Sequence, residues 1–142
     1  MKGTEIVAKL PYRRPFLFVD GITQVSEQSI CGQYTFRPDE FFYAGHFIGH
    51  PVTPGVILLE CMAQIGLVAH GIYLLNQAGK ELPQQVAFSS SEVDFLLPVY
   101  PGELVHVQTE LQYFRLGIIK SRVELRGKNG VACRGMLSGM MK

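Results

Sequence analysis

The sequence predicts a single α+β domain over residues 1–142, with a curved antiparallel sheet wrapped around one long central helix. Three observations predict it. A run from Pro54 to about Leu75 is apolar on nearly every face, four stretches of strand length follow it, and a pair that reads as a hairpin precedes it. At 142 residues the chain suffices for one core, since a domain of this size buries roughly two-thirds of the surface its unfolded form exposes.

In chain order, Phe16 to Val25 and Ser29 to Arg37 read as two strands joined by a polar Ser26-Glu27-Gln28 turn. The second alternates Ile30, Gly32, Tyr34 and Phe36 against its other face. A Gly/Pro-rich loop follows, from Gly45 to Pro54. Thr53 before Pro54 predicts a helix start, because Thr caps a first turn and Pro at the first helical position loses an N–H that has no partner there. The helix is apolar all round and therefore buried; Glu60, Gln64 and His70 inside it argue against a bilayer span. Asn76 to Gln85, with Gly79 and Pro83, is a polar connection. Strands are then predicted over Val86 to Leu96, Leu104 to Phe114, Ile118 to Arg126 and Val131 to Met141. In the second of these, Val105, Val107, Leu111 and Tyr113 alternate with His106, Gln108, Glu110 and Gln112, the period of a sheet with one covered face. A hairpin, four more antiparallel strands and one buried helix to cover them make the hotdog architecture.

Composition narrows the partners. A formal net charge of +1 without any Lys/Arg run gives no footprint for nucleic acid or an anionic membrane. With 47% hydrophobic and 18% charged residues, some surface is expected to be covered by a second subunit. No apolar stretch of signal-peptide length precedes Pro11 and Arg13, so a cytoplasmic location is expected. Cys31, Cys61 and Cys133 are odd in number and widely spaced, which fits reduced packing thiols rather than a disulfide framework or a zinc site.

Between Phe41 and Gly79, Glu60 is the only Asp, Glu, Lys or Arg, and it lies on the helix predicted to be buried. An ionised carboxylate there needs a partner, or its pKa rises. It is either a structural carboxylate held by a polar neighbour or a working acid. Gln64, four residues on, shares its helical face and is placed to orient it. At the helix start, Gly55 and Val56 present N–H groups without intrahelical acceptors at the positive end of the helix dipole, either an ordinary helix start or an oxyanion hole for a thioester carbonyl. His46, in the preceding loop, is either a simple polar loop residue or a base of suitable pKa for a substrate carbon acid. His50, His70 and His106 read as structural, and no local metal-ligand motif is formed.

The run Gly45-His46-Phe47-Ile48-Gly49-His50-Pro51-Val52-Thr53-Pro54-Gly55-Val56-Ile57-Leu58-Leu59-Glu60-Cys61-Met62-Ala63-Gln64 resembles the signature of the FabZ-type 3-hydroxyacyl-acyl carrier protein dehydratases. The opening segment, Leu10-Pro11-Tyr12-Arg13-Arg14-Pro15-Phe16-Leu17-Phe18-Val19-Asp20, and the later turn Pro98-Val99-Tyr100-Pro101-Gly102-Glu103 resemble further parts of that family. The resemblance implies that His46 takes the proton alpha to the thioester, that Glu60 assists loss of the 3-hydroxyl, and that Gly55 N–H binds the thioester oxygen. Val56 and Gln64 are expected to complete the substrate site. No metal and no other cofactor is implied.

The implied partner is an acyl carrier protein bearing a phosphopantetheine-linked acyl chain. The implied assembly is a homodimer with shared sites, in the family commonly built further into a trimer of dimers. Glutamate rather than aspartate at position 60 resembles the dehydratase-only branch. Three positions depart from the pattern: Ile48 and Thr53 replace a usual Pro and Met, and Tyr12 a usual His, changes expected to alter packing only. Asp94 and Leu96 stand where the family often carries basic residues, leaving Arg13, Arg14, Arg115, Lys120 and Arg122 as the cations for an acidic carrier. A relative serving a polyene or other secondary pathway fits that departure. The alternatives are a hotdog acyl thioesterase, which needs no His46 loop, and a non-catalytic acyl-thioester binding module.

Overall fold

The structure is a computed structural model and describes residues 1–141. Six strands form one sheet: β1 (Gly21–Val25), β2 (Ser29–Thr35), β3 (Val86–Phe95), β4 (Leu104–Arg115), β5 (Ile118–Gly127) and β6 (Gly130–Met141). Their lateral order is β1-β2-β4-β5-β6-β3, and every neighbouring pair is antiparallel. The helix occupies the covered face, as the α+β hotdog arrangement requires.

The burial pattern explains the curvature around the helix. Along β4, Val105, Val107 and Thr109 are buried while His106, Gln108 and Glu110 are exposed, so one face packs and the other meets solvent. Ile30, Tyr34, Ile119, Val123, Leu125 and Leu137 extend that face across β2, β5 and β6, and Phe36 just after β2 is buried with them. Ile57, Leu58, Met62, Ile65, Leu67, Val68 and Ile72 of the helix fill it. Each such side chain, fully removed from water, contributes about 1.5–3 kcal/mol.

The central helix runs Gly55–Gln77, two residues beyond the expected end near Leu75. It has the length and hydropathy of a membrane span, but 78% of its most apolar stretch is buried inside the fold. It consists of α2 (Gly55–Ala63), a π-helical segment (Gln64–Ala69) and α3 (His70–Gln77). The π-helical segment packs against β2, β4, β5 and β6, at the centre of the sheet. Gly79 ends the helix: its φ of 67° suits glycine, and Lys80 N–H returns to Leu75 O at 2.9 Å, closing the last turn.

Three details differ from expectation. Residues Phe16 to Asp20 are not strand, because side chains of the helix take the Phe16 and Phe18 backbone groups and only Asp20 N–H reaches β2, at Gln33 O (2.8 Å). Phe18 N–H donates to Gln64 Oε1 at 2.8 Å, and Cys61 Sγ–H donates to Phe18 O at 3.3 Å. A short helix α1 (Gly3–Ala8), too brief for periodicity to reveal, precedes that strap; Lys2 N–H donates to Glu5 Oε1 at 2.9 Å across its first turn. Finally, Thr53 does not cap the central helix. Pro54 takes the cap position with extended backbone (φ −56°, ψ 138°), while the Thr53 hydroxyl pairs with Tyr43 Oη at 2.6 Å.

Candidate active site

Glu60 lies in the second turn of the helix, at the edge of a cavity of about 240 Å³. Tyr12 and Phe16 from the strap, Ala63 and Leu67 from the helix, and Val86, Ala87 and Phe88 from the start of β3 line it. Burial pushes the Glu60 pKa above the usual carboxylate range, opposed by a hydrogen bond from Gln64 Nε2 to Glu60 Oε2 at 2.9 Å. The result is a carboxyl group that keeps a proton more readily than a surface glutamate, facing the chamber.

Gln64 holds that carboxyl in place. Its side chain is fully buried, its amide N–H groups go to Glu60 and to Phe16 O (3.0 Å), and its carbonyl accepts Phe18 N–H. Both of its N–H donors are thus used inside the protein.

The other expected elements lie around the helix start. Among the described residues, neither Gly55 N–H nor Val56 N–H has an acceptor, whereas Ile57 N–H and Leu58 N–H both return to Pro54 O at 2.9 and 3.1 Å. Two donors therefore point outward from the positive end of the helix. The ring of Phe95 closes over Gly55: a Cβ at that position would stand 3.1 Å from the ring, so only glycine allows this approach without displacement. Val56 is 71% exposed, an apolar side chain with no cover in this chain.

His46 belongs to a loop tied at both ends. Val52 N–H donates to His46 O at 2.9 Å, and Thr53 N–H donates to Val99 O at 2.8 Å. Phe47 and His50 exchange backbone hydrogen bonds at 3.0 and 2.9 Å, and the His46–Phe47 peptide is cis. The His46 ring stacks on Phe47 (centroids 4.0 Å apart), and its Nδ1 lies 2.9 Å from Val52 O. A carbonyl only accepts, so Nδ1 carries the proton in this pairing and Nε2 presents a lone pair, the tautomer a base needs. His46 is not among the residues lining the chamber beside Glu60. Within one chain the imidazole and the carboxyl thus belong to separate surfaces. Phe47, Ile48, Val56, Phe88 and Phe95 are exposed apolar residues, of which Phe88 lines the chamber, Phe47 stacks on His46 and Phe95 lies against Gly55.

Comparison with known proteins follows the same lines. The FabA-like domain family matches residues 10–134. The 3-hydroxyacyl-acyl-carrier-protein dehydratase FabZ of Roseiflexus castenholzii is 35% identical over 136 residues, covering 94% of this chain and 91% of that protein. The FabZ of Thermus thermophilus is 38% identical over 122 residues, covering 84% and 82%. The chain belongs to the FabZ-type dehydratase family. Among solved structures, the dehydratase heterocomplex ApeI:P from Xenorhabdus doucetiae superposes with a TM-score of 0.82 at 15% identity, covering all of this chain and 92% of that one. A thioesterase from Haemophilus influenzae superposes with a TM-score of 0.59 at 17% identity over 86% and 77% of the two chains. At those identities both show the shared fold alone.

In this FabZ-type chain the remaining histidines separate by environment. His70 is fully buried, and its Nε2–H donates to Ser26 O at 2.8 Å, pinning the β1–β2 turn to α3; burial lowers its pKa. His50 and His106 are exposed. Sequence reasoning did not find the strap as a wall of the chamber, or the Tyr43–Thr53 hydroxyl pair that braces the His46 loop. Both depend on contacts between segments far apart in the chain, for which local pattern gives no signal.

Proposed function

We propose that the protein eliminates water from (3R)-hydroxyacyl thioesters carried on acyl carrier protein, giving trans-2-enoyl thioesters in fatty acid or related polyene biosynthesis. The observation that carries this reading is Glu60: a carboxyl group with a raised pKa, aimed by Gln64 into an acyl-sized chamber. The names of the FabZ relatives, at 35–38% identity, supply the substrate class.

His46 Nε2 takes the proton from C2, and the C2–H electron pair becomes the second bond between C2 and C3. The C3–O bond breaks as the hydroxyl receives the Glu60 proton and departs as water. Gly55 N–H, with Val56 N–H beside it, holds the thioester oxygen as charge develops there. A return of the proton from imidazolium to carboxylate through water restores both groups. The sequence needs neither a metal nor an organic cofactor.

A homodimer completes the site in this reading, His46 of one copy facing Glu60 of the other. Three features support it: among the described residues the chamber beside Glu60 has no histidine in its lining and β3 has no neighbour on its outer side, and Phe47, Val56 and Phe88 are exposed apolar side chains. Three such dimers make the hexamer implied by the family resemblance. A cytoplasmic location fits the free thiols of Cys31, Cys61 and Cys133.

The test uses absorbance of the enoyl product. His46→Ala and Glu60→Gln are each expected to abolish turnover of a 3-hydroxyacyl thioester on carrier protein. Coexpressed, the two inactive variants recover about a quarter of wild-type activity, because half of the dimers are mixed and each keeps one intact shared site. Turnover retained by both single variants refutes the assignment, and no recovery in the mixture refutes shared sites. Release of free thiol in place of enoyl product would make the protein a thioesterase.

A further inference from the structure

The strap after α1, residues 9–20, lines the chamber through Tyr12 and Phe16 and is anchored by Leu10 packed into the core and by Phe16 O bonded to Gln64 Nε2. Between those anchors stands Tyr12, which lines the same cavity as Glu60. Most polar atoms around Glu60 are accounted for: Oε2 is held by Gln64, and the Gln64 amide is spent on protein partners. Among the described residues nothing engages the Tyr12 hydroxyl, although its ring is packed against the core. A phenol part-buried beside a carboxylate, open to the cavity and hydrogen-bonded to no protein group, is a donor that a ligand can engage in place of water.

We propose that Tyr12 is a further substrate-binding residue, whose phenolic O–H donates a hydrogen bond to the 3-oxygen of the acyl chain and aims the departing hydroxyl at Glu60. The inference rests on the dehydratase reading above and goes beyond it, since Tyr12 replaces the histidine usual at this place and was expected to alter packing only. Burial first, and the Glu60 charge second, push the Tyr12 pKa well above its ordinary value, so the phenol stays a protonated donor across the working range. Tyr12 exchanges no proton: the C3–O bond breaks, Glu60 supplies the proton that completes water, and the phenol keeps its own hydrogen while holding the oxygen. A hydroxyl that recognises a hydroxyl also selects substrates. Chains lacking the 3-oxygen leave the phenol unpaired, a penalty that an apolar wall could not impose.

Two measurements test this together. Tyr12→Phe removes the hydroxyl and keeps the ring; kcat/KM for a 3-hydroxyacyl thioester is expected to fall roughly 10- to 100-fold. In a His46→Ala background, where turnover is stopped, the same substitution should weaken binding of the 3-hydroxyacyl thioester about tenfold and leave the saturated acyl thioester of equal length unchanged. Equal losses for both ligands would make Tyr12 a packing residue, and no change in either would leave the phenol without a role; each result overturns the proposal. A wild-type protein that forms no enoyl product would instead overturn the dehydratase reading, and Tyr12's role with it.

Discussion

Replacing Gln64 by leucine separates the carboxyl's orientation from its presence. Leucine fills nearly the same volume on a fully buried site but cannot accept from Phe18 N–H, whose residue is itself fully buried. That stranded donor costs about 1–3 kcal/mol, while the lost partner at Phe16, on a residue open to solvent, is replaced largely by water. A net loss of about 2 kcal/mol lowers the Tm of a chain this size by roughly 6–10 °C. The catalytic effect has its own sign. Burial raises the Glu60 pKa and the Gln64 hydrogen bond opposes the rise, so removing the amide moves that pKa further up. Dehydration needs the protonated carboxyl, and its loss shapes the falling alkaline limb of the pH profile; in Gln64→Leu that limb moves to higher pH. The plateau drops by about tenfold or more because the carboxyl is no longer aimed. Thermal unfolding and kcat/KM across pH measure both effects. A lowered Tm with an unmoved alkaline limb and full activity would show that Gln64 only supports the strap.

Two further outcomes follow from buried groups away from the chamber. The folded-state pKa of His70 is lowered by burial, so its contribution to stability is present above the ordinary histidine value and lost as pH falls through the folded one; His70→Gln should be less stable at pH 8 yet show a shallower decline in Tm towards pH 5, and an unchanged slope would contradict this. Tyr43→Phe breaks the 2.6 Å hydroxyl pair with Thr53 beneath the His46 loop; a stability loss of about 1 kcal/mol by denaturant titration is expected, with kcat reduced more than KM is raised, whereas a change in KM alone would place the effect elsewhere.

Much of the fold was legible because its elements carry strong local periodicity. The alternation in β4 and the all-round apolar run of the helix each had one physical solution, and both are realised. Lateral order was not legible: β3 follows the helix in sequence yet pairs with β6, at the far edge of the sheet from β1. The Phe16–Asp20 segment misled for a related reason. Its apolar residues are strand-like, but Gln64 and Cys61, more than forty positions away, take its backbone groups. The π-helical widening at Gln64–Ala69 likewise has no marker in composition. For the site, an isolated carboxylate in a long apolar helix was visible from charge alone. The phenol beside it was not, because only the folded strap brings Tyr12 to Glu60.

The geometry of a helix end explains why a carboxyl at position 60 suits leading amides at positions 55 and 56. Five residues advance about 7.5 Å along the axis, and side chains tilt back towards the N-terminus, so the Glu60 carboxyl leans over the turn that begins at Val56. A 3-hydroxyacyl thioester presents two oxygens separated by a single methylene, the carbonyl at C1 and the hydroxyl at C3. The proton to be removed lies on the carbon between them, and the base must approach from the side that the helix leaves open. A histidine on a separate loop, braced by Tyr43 and Thr53 and fixed in its tautomer by Val52, has the independence for that approach. In the dimer proposed above, the number of residues between His46 and Glu60 measures no distance in the active site, because the two would meet through the pairing of chains; variants that weaken the dimer should then lose activity in step with it.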